Sequence, residues 1–268
     1  MIRRRFGQHW LHDEQVLAQI VKAADLQPDD RILEVGPGHG ALTKRLLASS
    51  AALIHAIELD RNLVEVLQNR FGSHPKFSLQ QGDVLQASLR LADASFANKV
   101  VANIPYNITG PLLGRLIGRL DRPANPTYEC LVLLIQKEVA ERIRAKPGQS
   151  GFSALSVRMQ LLAHCSWVCS VPPCCFQPPP KVESEAILLK PFPPEKRLES
   201  GLASQVEWLL KRVFQTRRKM LRNTLTSVID PRRLELVAAS IGINLQQRPQ
   251  EVAAETWVDL ARGLNLNT

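Results

Sequence analysis

Three glycines at alternate positions are the first residues whose type and spacing could serve chemistry. Gly36, Gly38 and Gly40 follow a short apolar run at residues 31–35 and precede a stretch with apolar residues at helical spacing. The pattern predicts a strand, a tight turn and a helix, and it lets the backbone approach a ligand beside the unpaired N–H groups of the helix N-terminus. This arrangement is typical of a site for a nucleotide-like cofactor.

The glycine turn by itself leaves two classes of cofactor open. Gly36, Gly38 and Ala41 satisfy the G-x-G-x-x-G/A pattern of dinucleotide sites, and a methyltransferase that uses S-adenosylmethionine fits equally well. Glu58, which ends the second predicted strand, could accept hydrogen bonds from the ribose hydroxyls of either cofactor. Asp83 follows the third predicted strand and could accept a hydrogen bond from the exocyclic amine of adenine.

The tetrapeptide Asn103-Ile-Pro-Tyr106 separates these classes. It ends the fourth predicted strand, and an open α/β sheet binds its ligands at the carboxyl ends of its strands. An aromatic amine is a poor nucleophile because its lone pair is delocalised, so an enzyme that methylates it needs acceptors for both N–H bonds. Asn103 and the carbonyl next to Pro105 could accept them, Pro105 stiffens the turn, and Tyr106 offers a face for stacking a base. The motif indicates methylation of a nucleobase amine, with positioning as the main contribution to catalysis.

The elements that must position these residues alternate between strand and helix. Strands are predicted at residues 31–35, 53–59, 77–81, 99–103 and 130–135. Helices are predicted from Asp13 onward and at 61–70, 111–120 and 136–144, besides the helix that follows the glycine turn. This alternation predicts a parallel sheet with helices on both faces. Two further runs, 165–171 and 182–189, predict an antiparallel addition at the edge of the sheet.

The last part of the chain has a different pattern. Residues 190–195 are rich in proline and predict a linker, after which every periodic segment is helical. Asp230-Pro231 predicts a helix start and Gly242 a helix end. We therefore expect a catalytic domain at residues 1–190 and a small all-α domain at 191–268.

Composition excludes several classes of protein. The chain has 268 residues, 45% of them hydrophobic, which suits a globular fold and excludes collagen-like and disordered chains. The longest apolar run, 130–135, is far below the ~20 residues of a membrane helix, and no apolar stretch typical of a secretory signal follows the first basic residues. We expect a cytoplasmic protein with no membrane span. The five cysteines lack the spacing of paired zinc ligands, so we expect reduced thiols and no metal.

At this point the sequence resembles the ribosomal RNA adenine dimethyltransferases, and most closely their bacterial small-subunit branch. The resemblance covers nearly the whole chain. It depends on ordered matches at residues 5–8, 33–43, 56–60, 82–83, 103–107, 136–140, 176–184 and 217–223. It implies a Rossmann-like class I methyltransferase sheet, mostly parallel with one antiparallel edge strand, followed by a small all-α C-terminal domain. It also implies S-adenosylmethionine as the cofactor.

The resemblance also implies roles for individual residues. The residues expected to bind the cofactor are His9, Leu11, Gly36, Gly38, Glu58, Asp83 and Asn103. The residues expected to hold the target adenine are Asn103, Pro105, Tyr106 and Phe176, with Phe176 closing on the second face of the base. The chain departs from the family in having His9-Trp10-Leu11 where Asn-Phe-Leu is usual, and Ile104 where Leu is commoner before the proline.

The positive charge of the chain predicts a polyanionic partner. The formal net charge is +9, and residues 211–222 hold six cations and no acid. The residues expected to bind RNA are Arg3, Arg4, Arg5, Lys211, Arg212, Arg217, Arg218, Lys219 and Arg222. Enzymes that act on a base usually take it from a loop, where unstacking costs least. The resemblance narrows the target to two adjacent adenines near the 3′ end of 16S rRNA, within a pre-assembled small subunit, and nothing demands more than a monomer.

Three alternatives remain open on the sequence. The first is the related large-subunit adenine methylase that confers antibiotic resistance, against which the length and the arginine-rich segment of the C-terminal part speak. The second is an RNA-binding assembly or transcription factor that kept the fold without catalysis; such a module has no need of both a cofactor pocket and Asn103-Ile-Pro-Tyr106. The third is a nicotinamide oxidoreductase, which lacks an evident acid/base partner for hydride transfer.

Overall fold

The computed structural model describes residues 9–125 and 127–266. The strands are β1 (Trp10–Leu11), β2 (Arg31–Val35), β3 (Leu53–Glu58), β4 (Phe77–Gln81), β5 (Lys99–Asn103), β6 (Gly118–Arg119), β7 (Arg122–Pro123), β8 (Cys130–Gln136), β9 (Ala163–Val171), β10 (Phe176–Gln177) and β11 (Ser184–Pro191). The α-helices are α1 (Glu14–Ala23), α2 (Ala41–Leu47), α3 (Arg61–Phe71), α4 (Thr109–Leu116), α5 (Lys137–Arg144), α6 (Ala154–Leu162), α7 (Ser200–Phe214), α8 (Leu221–Leu225), α9 (Pro231–Ile241) and α10 (Ala254–Leu264).

The central sheet is mostly parallel. Within the described residues it contains seven strands in the order β4-β3-β2-β5-β8-β11-β9. The strands from β4 to β8 pair in parallel, and β11 pairs antiparallel with β8. Strands buried on both faces have near-continuous apolar runs, and β8 is such a strand, since Leu131 to Ile135 are completely buried. The predicted class, an α/β fold with a Rossmann-like sheet and flanking helices, is confirmed.

The antiparallel strand lies second from the edge of the sheet, not at the edge as expected. β11 is inserted between β8 and β9, and β9 forms the edge. The burial of the two strands explains this order. Ala186, Ile187 and Leu189 of β11 are completely buried, as a central strand requires, whereas β9 has many exposed or half-buried residues, among them Trp167 at 54% exposure. The later strand is thus the more apolar one and takes the inner position.

A second, two-stranded sheet joins distant parts of the chain. β1 and β10 pair antiparallel, with Trp10 opposite Gln177 and Leu11 opposite Phe176. Leu11 and Phe176 belong to the hydrophobic core beneath the sheet, together with Cys169 and Cys175. No periodicity in the sequence predicted this pairing, because each strand has only two residues.

Helix ends mostly follow the predicted capping residues. Asp13 accepts hydrogen bonds from two amides of the first turn of α1, Asp230 caps α9, and Gly242 ends α9 with a φ of 71°. The helix predicted at 111–120 instead ends at Leu116, because Gly118 adopts a φ of 88° and turns the chain into the short β6–β7 hairpin. None of the described helices is both long enough and apolar enough to cross a bilayer.

The described chain divides into two compact units. The first contains the described residues of 9–117 and 124–140 together with Cys165–Pro191, and it holds the central sheet. The second contains Gly118–Pro123, Glu141–His164 and the residues from Phe192 onward, and it is discontinuous in sequence.

The second unit has its own core. α10 packs against α7 and α9, and Trp257 of α10 is completely buried. Arg158 of α6 donates to both carboxylate oxygens of Glu207 on α7, at 2.9 and 3.0 Å, and Glu207 is only 2% exposed. This buried bidentate pair explains why α6 groups with the C-terminal helices although it precedes them by some forty residues.

Candidate active site

One cavity of about 430 Å³ lies at the carboxyl edge of the central sheet. It is bounded by β1, by the glycine turn after β2, and by the ends of β3 and β5. Parallel strands bring their carboxyl ends to the same edge, which is where an open α/β sheet places its ligands. Most of the predicted site residues line this cavity, namely His9, Leu11, Gly36, Gly38, Glu58, Asn103, Pro105 and Tyr106.

Two predicted site residues do not line the cavity. Asp83 follows β4, and its Oδ1 accepts a hydrogen bond from the Leu85 amide at 2.9 Å, so the carboxylate closes a local turn. Phe176 is only 1% exposed and packs in the core opposite Leu11. Its predicted stacking on the target base stays a prediction that requires the ring to leave this core, whereas the neighbouring Gln177 does line the cavity.

At two of its three positions the glycine turn also makes room for side chains of the protein. A Cβ on Gly38 would lie 2.8 Å from Cδ1 of Trp10, and a Cβ on Gly40 would lie 2.4 Å from the ring of Phe71. The space where a Cβ would lie at these glycines is therefore taken by side chains of the protein, and Gly38 still lines the cavity. At Gly36 the nearest atom is Cδ of Pro105 at 3.5 Å, an ordinary contact.

We expect Gly40→Ala to destabilise the protein strongly. Gly40 has a φ of 79°, and the added methyl group would overlap Phe71 and crowd Leu67. Together these effects should lower the free energy of unfolding by about 2–4 kcal/mol. Gly114→Ala on α4 is the matched control, because nothing lies within 4 Å of its added Cβ and the change should stabilise the helix by ~0.5–1 kcal/mol. Urea denaturation measures both, and equal midpoints for the two variants would contradict this account.

Glu58 is held by the backbone around it. Its Oε2 accepts from the Gly38 amide at 3.1 Å and its Oε1 accepts from the Asp60 amide at 3.0 Å. The side chain is 4% exposed, and burial raises its pKa despite these hydrogen bonds. Each carboxylate oxygen has two lone pairs, so the group can still accept hydrogen bonds from a pair of ligand hydroxyls.

Glu34 is a site residue that the sequence reasoning missed. It lies on β2, lines the cavity, and is only 1% exposed. Neither carboxylate oxygen has a well-aligned donor within the described chain, and burial raises its pKa to about 8, with the nearby Glu58 adding to the rise and Thr43 partly opposing it. The signal that could have found it is an acid in the middle of the otherwise apolar strand Ile32-Leu-Glu-Val35.

The charge of the cavity favours a cationic ligand. The described residues that line it include two carboxylates, Glu34 and Glu58, and neither lysine nor arginine. The pyrophosphate of a dinucleotide would meet these carboxylates without a compensating cation, whereas a sulfonium and an ammonium group would be attracted to them. The geometry therefore suits S-adenosylmethionine better than a nicotinamide cofactor.

Asn103 is oriented by the segment that precedes β1. Its Nδ2 donates a hydrogen bond to the carbonyl oxygen of His9 at 3.1 Å. This bond fixes the orientation of the carboxamide, with Nδ2 towards His9, and leaves Oδ1 as an acceptor for a ligand. Nδ1 of His9 lies 2.7 Å from the carbonyl oxygen of Pro178, and because a carbonyl can only accept, Nδ1 must be the protonated nitrogen.

Tyr106 begins the short 3-10 turn Tyr106–Ile108 directly after Pro105. The ring of His9 stacks on the ring of Tyr106, with centroids 5.6 Å apart and an angle of 27° between the planes. The hydroxyl groups of Tyr106 and Ser184 share a hydrogen bond of 2.6 Å, and burial raises the pKa of Tyr106. The phenol therefore stays protonated, and one face of its ring is already covered.

The predicted RNA-binding residues of the C-terminal part lie on the surface of the second unit. Lys211 and Arg212 lie in the last turn of α7, and the segment from Gln215 to Met220 is exposed throughout. Arg217 donates to the carbonyl of Ser150 at 3.2 Å, and Arg222 forms an ion pair of 3.0 Å with Glu235. Arg3, Arg4 and Arg5 lie outside the described residues.

Comparison with known proteins identifies relatives along the full length of the chain. A family model described as ribosomal RNA adenine dimethylase matches residues 1–265. A protein named ribosomal RNA small subunit methyltransferase A from Synechococcus sp. (strain CC9902) is 76% identical over 263 residues, which cover 98% of this chain and 96% of the relative. A protein of the same name from Prochlorococcus marinus (strain MIT 9303) is 66% identical, with coverage of 98% and 94%.

Two solved structures are similar over nearly the whole chain. A dimethyladenosine transferase from Plasmodium falciparum has a TM-score of 0.79 at 25% identity and covers 96% of this chain and 98% of its own. The 23S rRNA methyltransferase ErmE has a TM-score of 0.75 at 28% identity, with coverage of 96% and 100%. The fold alone does not favour one of these two relatives over the other, since the two TM-scores are close.

Proposed function

The chain belongs to the ribosomal RNA adenine dimethylase family, and on that basis we propose that it places two methyl groups on the exocyclic amine of each of two adjacent adenines near the 3′ end of 16S rRNA. The target lies in a loop of a pre-assembled small ribosomal subunit, in the cytoplasm, and the enzyme acts as a monomer. Residues 1–190 carry out methyl transfer and residues 191–268 dock on the rRNA. The modification accompanies biogenesis of the small subunit.

The single observation that carries this proposal is the orientation of Asn103. Its amide nitrogen is committed to His9, so its oxygen is free to accept from an amine, and it lies in the same cavity as the buried acids Glu34 and Glu58. An acceptor for an amine beside a pocket for a cation is what transfer of a methyl group from a sulfonium to a nucleobase amine requires. Neither group serves hydride transfer.

The cofactor pocket is supported by the same two carboxylates. Glu58, held by the amides of Gly38 and Asp60, would accept the ribose hydroxyls. Glu34, whose oxygens have no well-aligned donor within the described chain, would accept from the ammonium group. S-adenosylmethionine, when bound, supplies an electrophilic methyl group on sulfur that leaves behind a neutral thioether. No general acid is needed for such a leaving group.

The target adenine is held by the residues that follow β5. Asn103 Oδ1 accepts one N–H of the amine. The carbonyl of Ile104, which precedes Pro105 and lines the cavity, would accept the second N–H. Tyr106 stacks on the base with the face that His9 leaves open, which is worth ~1–3 kcal/mol for one base.

The reaction balances without a redox partner. The new N–C bond forms as the S–C bond breaks, and the electron pair of the S–C bond remains on sulfur. The methylated nitrogen then carries a positive charge and loses a proton to solvent. A second transfer at the same nitrogen repeats these steps. The singly methylated amine has one N–H bond left, so only one of the two acceptors still receives a hydrogen bond from it.

The exposed cations of the second unit should make RNA binding depend on salt. If Arg217, Arg218 and Lys219 each contact a phosphate, replacing all three by alanine should reduce the slope of log K against log salt by about 2 in total. Arg262→Ala is the control, because Arg262 is exposed in the same unit and already paired with Asp259 at 3.1 Å. Filter binding to small subunits at several salt concentrations measures the slope, and an unchanged slope in the triple variant would show that RNA docks elsewhere.

The proposed function is tested by transfer of radiolabelled methyl groups from S-adenosylmethionine to unmodified ribosomal subunits. We expect dimethyladenosine in small-subunit rRNA and no label in large subunits. Label in large subunits alone would assign the chain to the resistance branch of the family. Tight binding to subunits without any label would show a non-catalytic assembly factor.

A further inference from the structure

A hydrogen bond from Tyr106 crosses the end of a neighbouring strand. Tyr106 follows β5, and its hydroxyl meets the hydroxyl of Ser184 at 2.6 Å on β11. β8 lies between these two strands, and Ser184 is opposite Gln136, the last residue of β8. The hydrogen bond therefore joins a residue that follows β5 to a residue of β11, and these two strands lie on opposite sides of β8.

Ser184 lies there because β11 runs antiparallel. The first residue of an antiparallel strand meets the carboxyl ends of its parallel neighbours, which is the edge that holds the cavity. Ser184 is completely buried, and its hydroxyl is one of few buried polar groups on this strand. A buried hydroxyl needs a hydrogen-bond partner, and the described partner of Ser184 is the tyrosine ring that faces the substrate side.

The hydrogen bond restricts how the Tyr106 ring can turn. One face is covered by His9, so a base can stack only on the other face. Rotation about the Cα–Cβ bond would change the direction in which the open face points. The hydroxyl at the far end of the ring is the atom that moves most in such a rotation, and Ser184 holds that atom.

We propose that Ser184 is a positioning residue for methyl transfer, because it holds Tyr106 in the orientation that stacks the target adenine against the acceptor of Asn103. Ser184 touches neither the cofactor nor the base and acts only through the phenol of Tyr106. The inference rests on the proposed function, since it assumes that a base stacks on Tyr106. Its effect is on the geometry of the bound base and not on cofactor affinity.

The test is a double-mutant cycle with Ser184→Ala and Tyr106→Phe, measured as single-turnover methyl transfer to small subunits at saturating S-adenosylmethionine. We expect each single variant to reduce the rate about 3- to 10-fold, which is the range of one hydrogen bond. The double variant should be no slower than the slower single variant, because both changes remove the same bond. The Kd for S-adenosylmethionine should not change in any of the three.

Two features keep the test decisive. Ser156→Ala is the matched control, because Ser156 is also a completely buried serine whose hydroxyl donates to a backbone carbonyl, in the second unit; combined with Tyr106→Phe it should act additively. Tyr106 is only half-buried, so Tyr106→Phe removes the bond without emptying a core position. Additive losses for Ser184→Ala and Tyr106→Phe, or no loss at Ser184, would overturn the inference while leaving the proposed function intact. A wild-type protein that methylates no RNA would overturn both.

Discussion

Replacing Asn103 by alanine should reduce the rate of methyl transfer by about 10²–10³-fold, the loss seen when one preorganised hydrogen-bonding group is removed from a reacting centre. The amine of adenine has a delocalised lone pair, and only an acceptor fixed in place can hold its N–H bonds in the reactive geometry. Asn103 is fixed in this way because its Nδ2 donates to His9. Alanine removes both the acceptor and the contact that oriented it.

The matched control for this variant is Asn107→Ala. Asn107 lies four residues further along, in the 3-10 turn Tyr106–Ile108, and is exposed. It loses the same side chain without touching the cavity, so its rate should stay within about 2-fold of the wild type, as for most surface substitutions. Single-turnover transfer with both variants measures the difference. An Asn103→Ala enzyme as active as Asn107→Ala would contradict the assignment of Asn103 as the acceptor.

Glu34→Gln should stabilise the cofactor-free protein increasingly as the pH rises. Burial raises the pKa of Glu34 from 4.5 to about 8, so the fold prefers the neutral acid. The stabilisation that this preference provides is complete below pH 4.5 and is lost as the pH rises through about 8. Glutamine stays neutral at every pH. The difference in free energy of unfolding between the variant and the wild type should therefore increase by roughly 1 kcal/mol per pH unit between pH 4.5 and about 8.

Cofactor binding should change in the opposite direction. A bound ammonium group favours the ionised carboxylate, so Glu34→Gln should bind S-adenosylmethionine about 10- to 100-fold more weakly, the cost of losing a charged hydrogen bond. Urea denaturation at pH 5.5, 7 and 8.5 tests the first effect, and calorimetry in two buffers of different ionisation enthalpy tests the second. Glu65→Gln, on the exposed surface of α3, is the control for loss of a charge. A stability difference that does not vary with pH would refute this account of Glu34.

The sequence predicted the part of the site that depends on local pattern. Gly36, Glu58 and Asn103 each follow or end an apolar strand. Parallel strands bring such residues to the carboxyl edge of the sheet, independently of the conformation of the loops. The same logic predicted the caps at Asp13 and Asp230, because capping depends on neighbours within one turn.

The remaining features depend on contacts between distant residues. An acid inside an apolar strand marks Glu34 as unusual, but only the distant residues around it show that it faces a cavity. The inner position of β11 depends on which of two late strands is more apolar, and the covalent order suggested the opposite. The bonds from Asn103 to His9 and from Tyr106 to Ser184 span 94 and 78 residues, and no sequence periodicity predicts them.

The pairing of β1 with β10 also sets when the active site can form during synthesis. β1 supplies one wall of the cavity, and its partner Gln177 is made about 167 residues later. At the ~5–20 residues per second of translation, some ten to thirty seconds pass between them. Until β10 has left the ribosome, His9 has no fixed position from which to orient Asn103. A newly made chain can therefore become active only after most of the first unit has been synthesised.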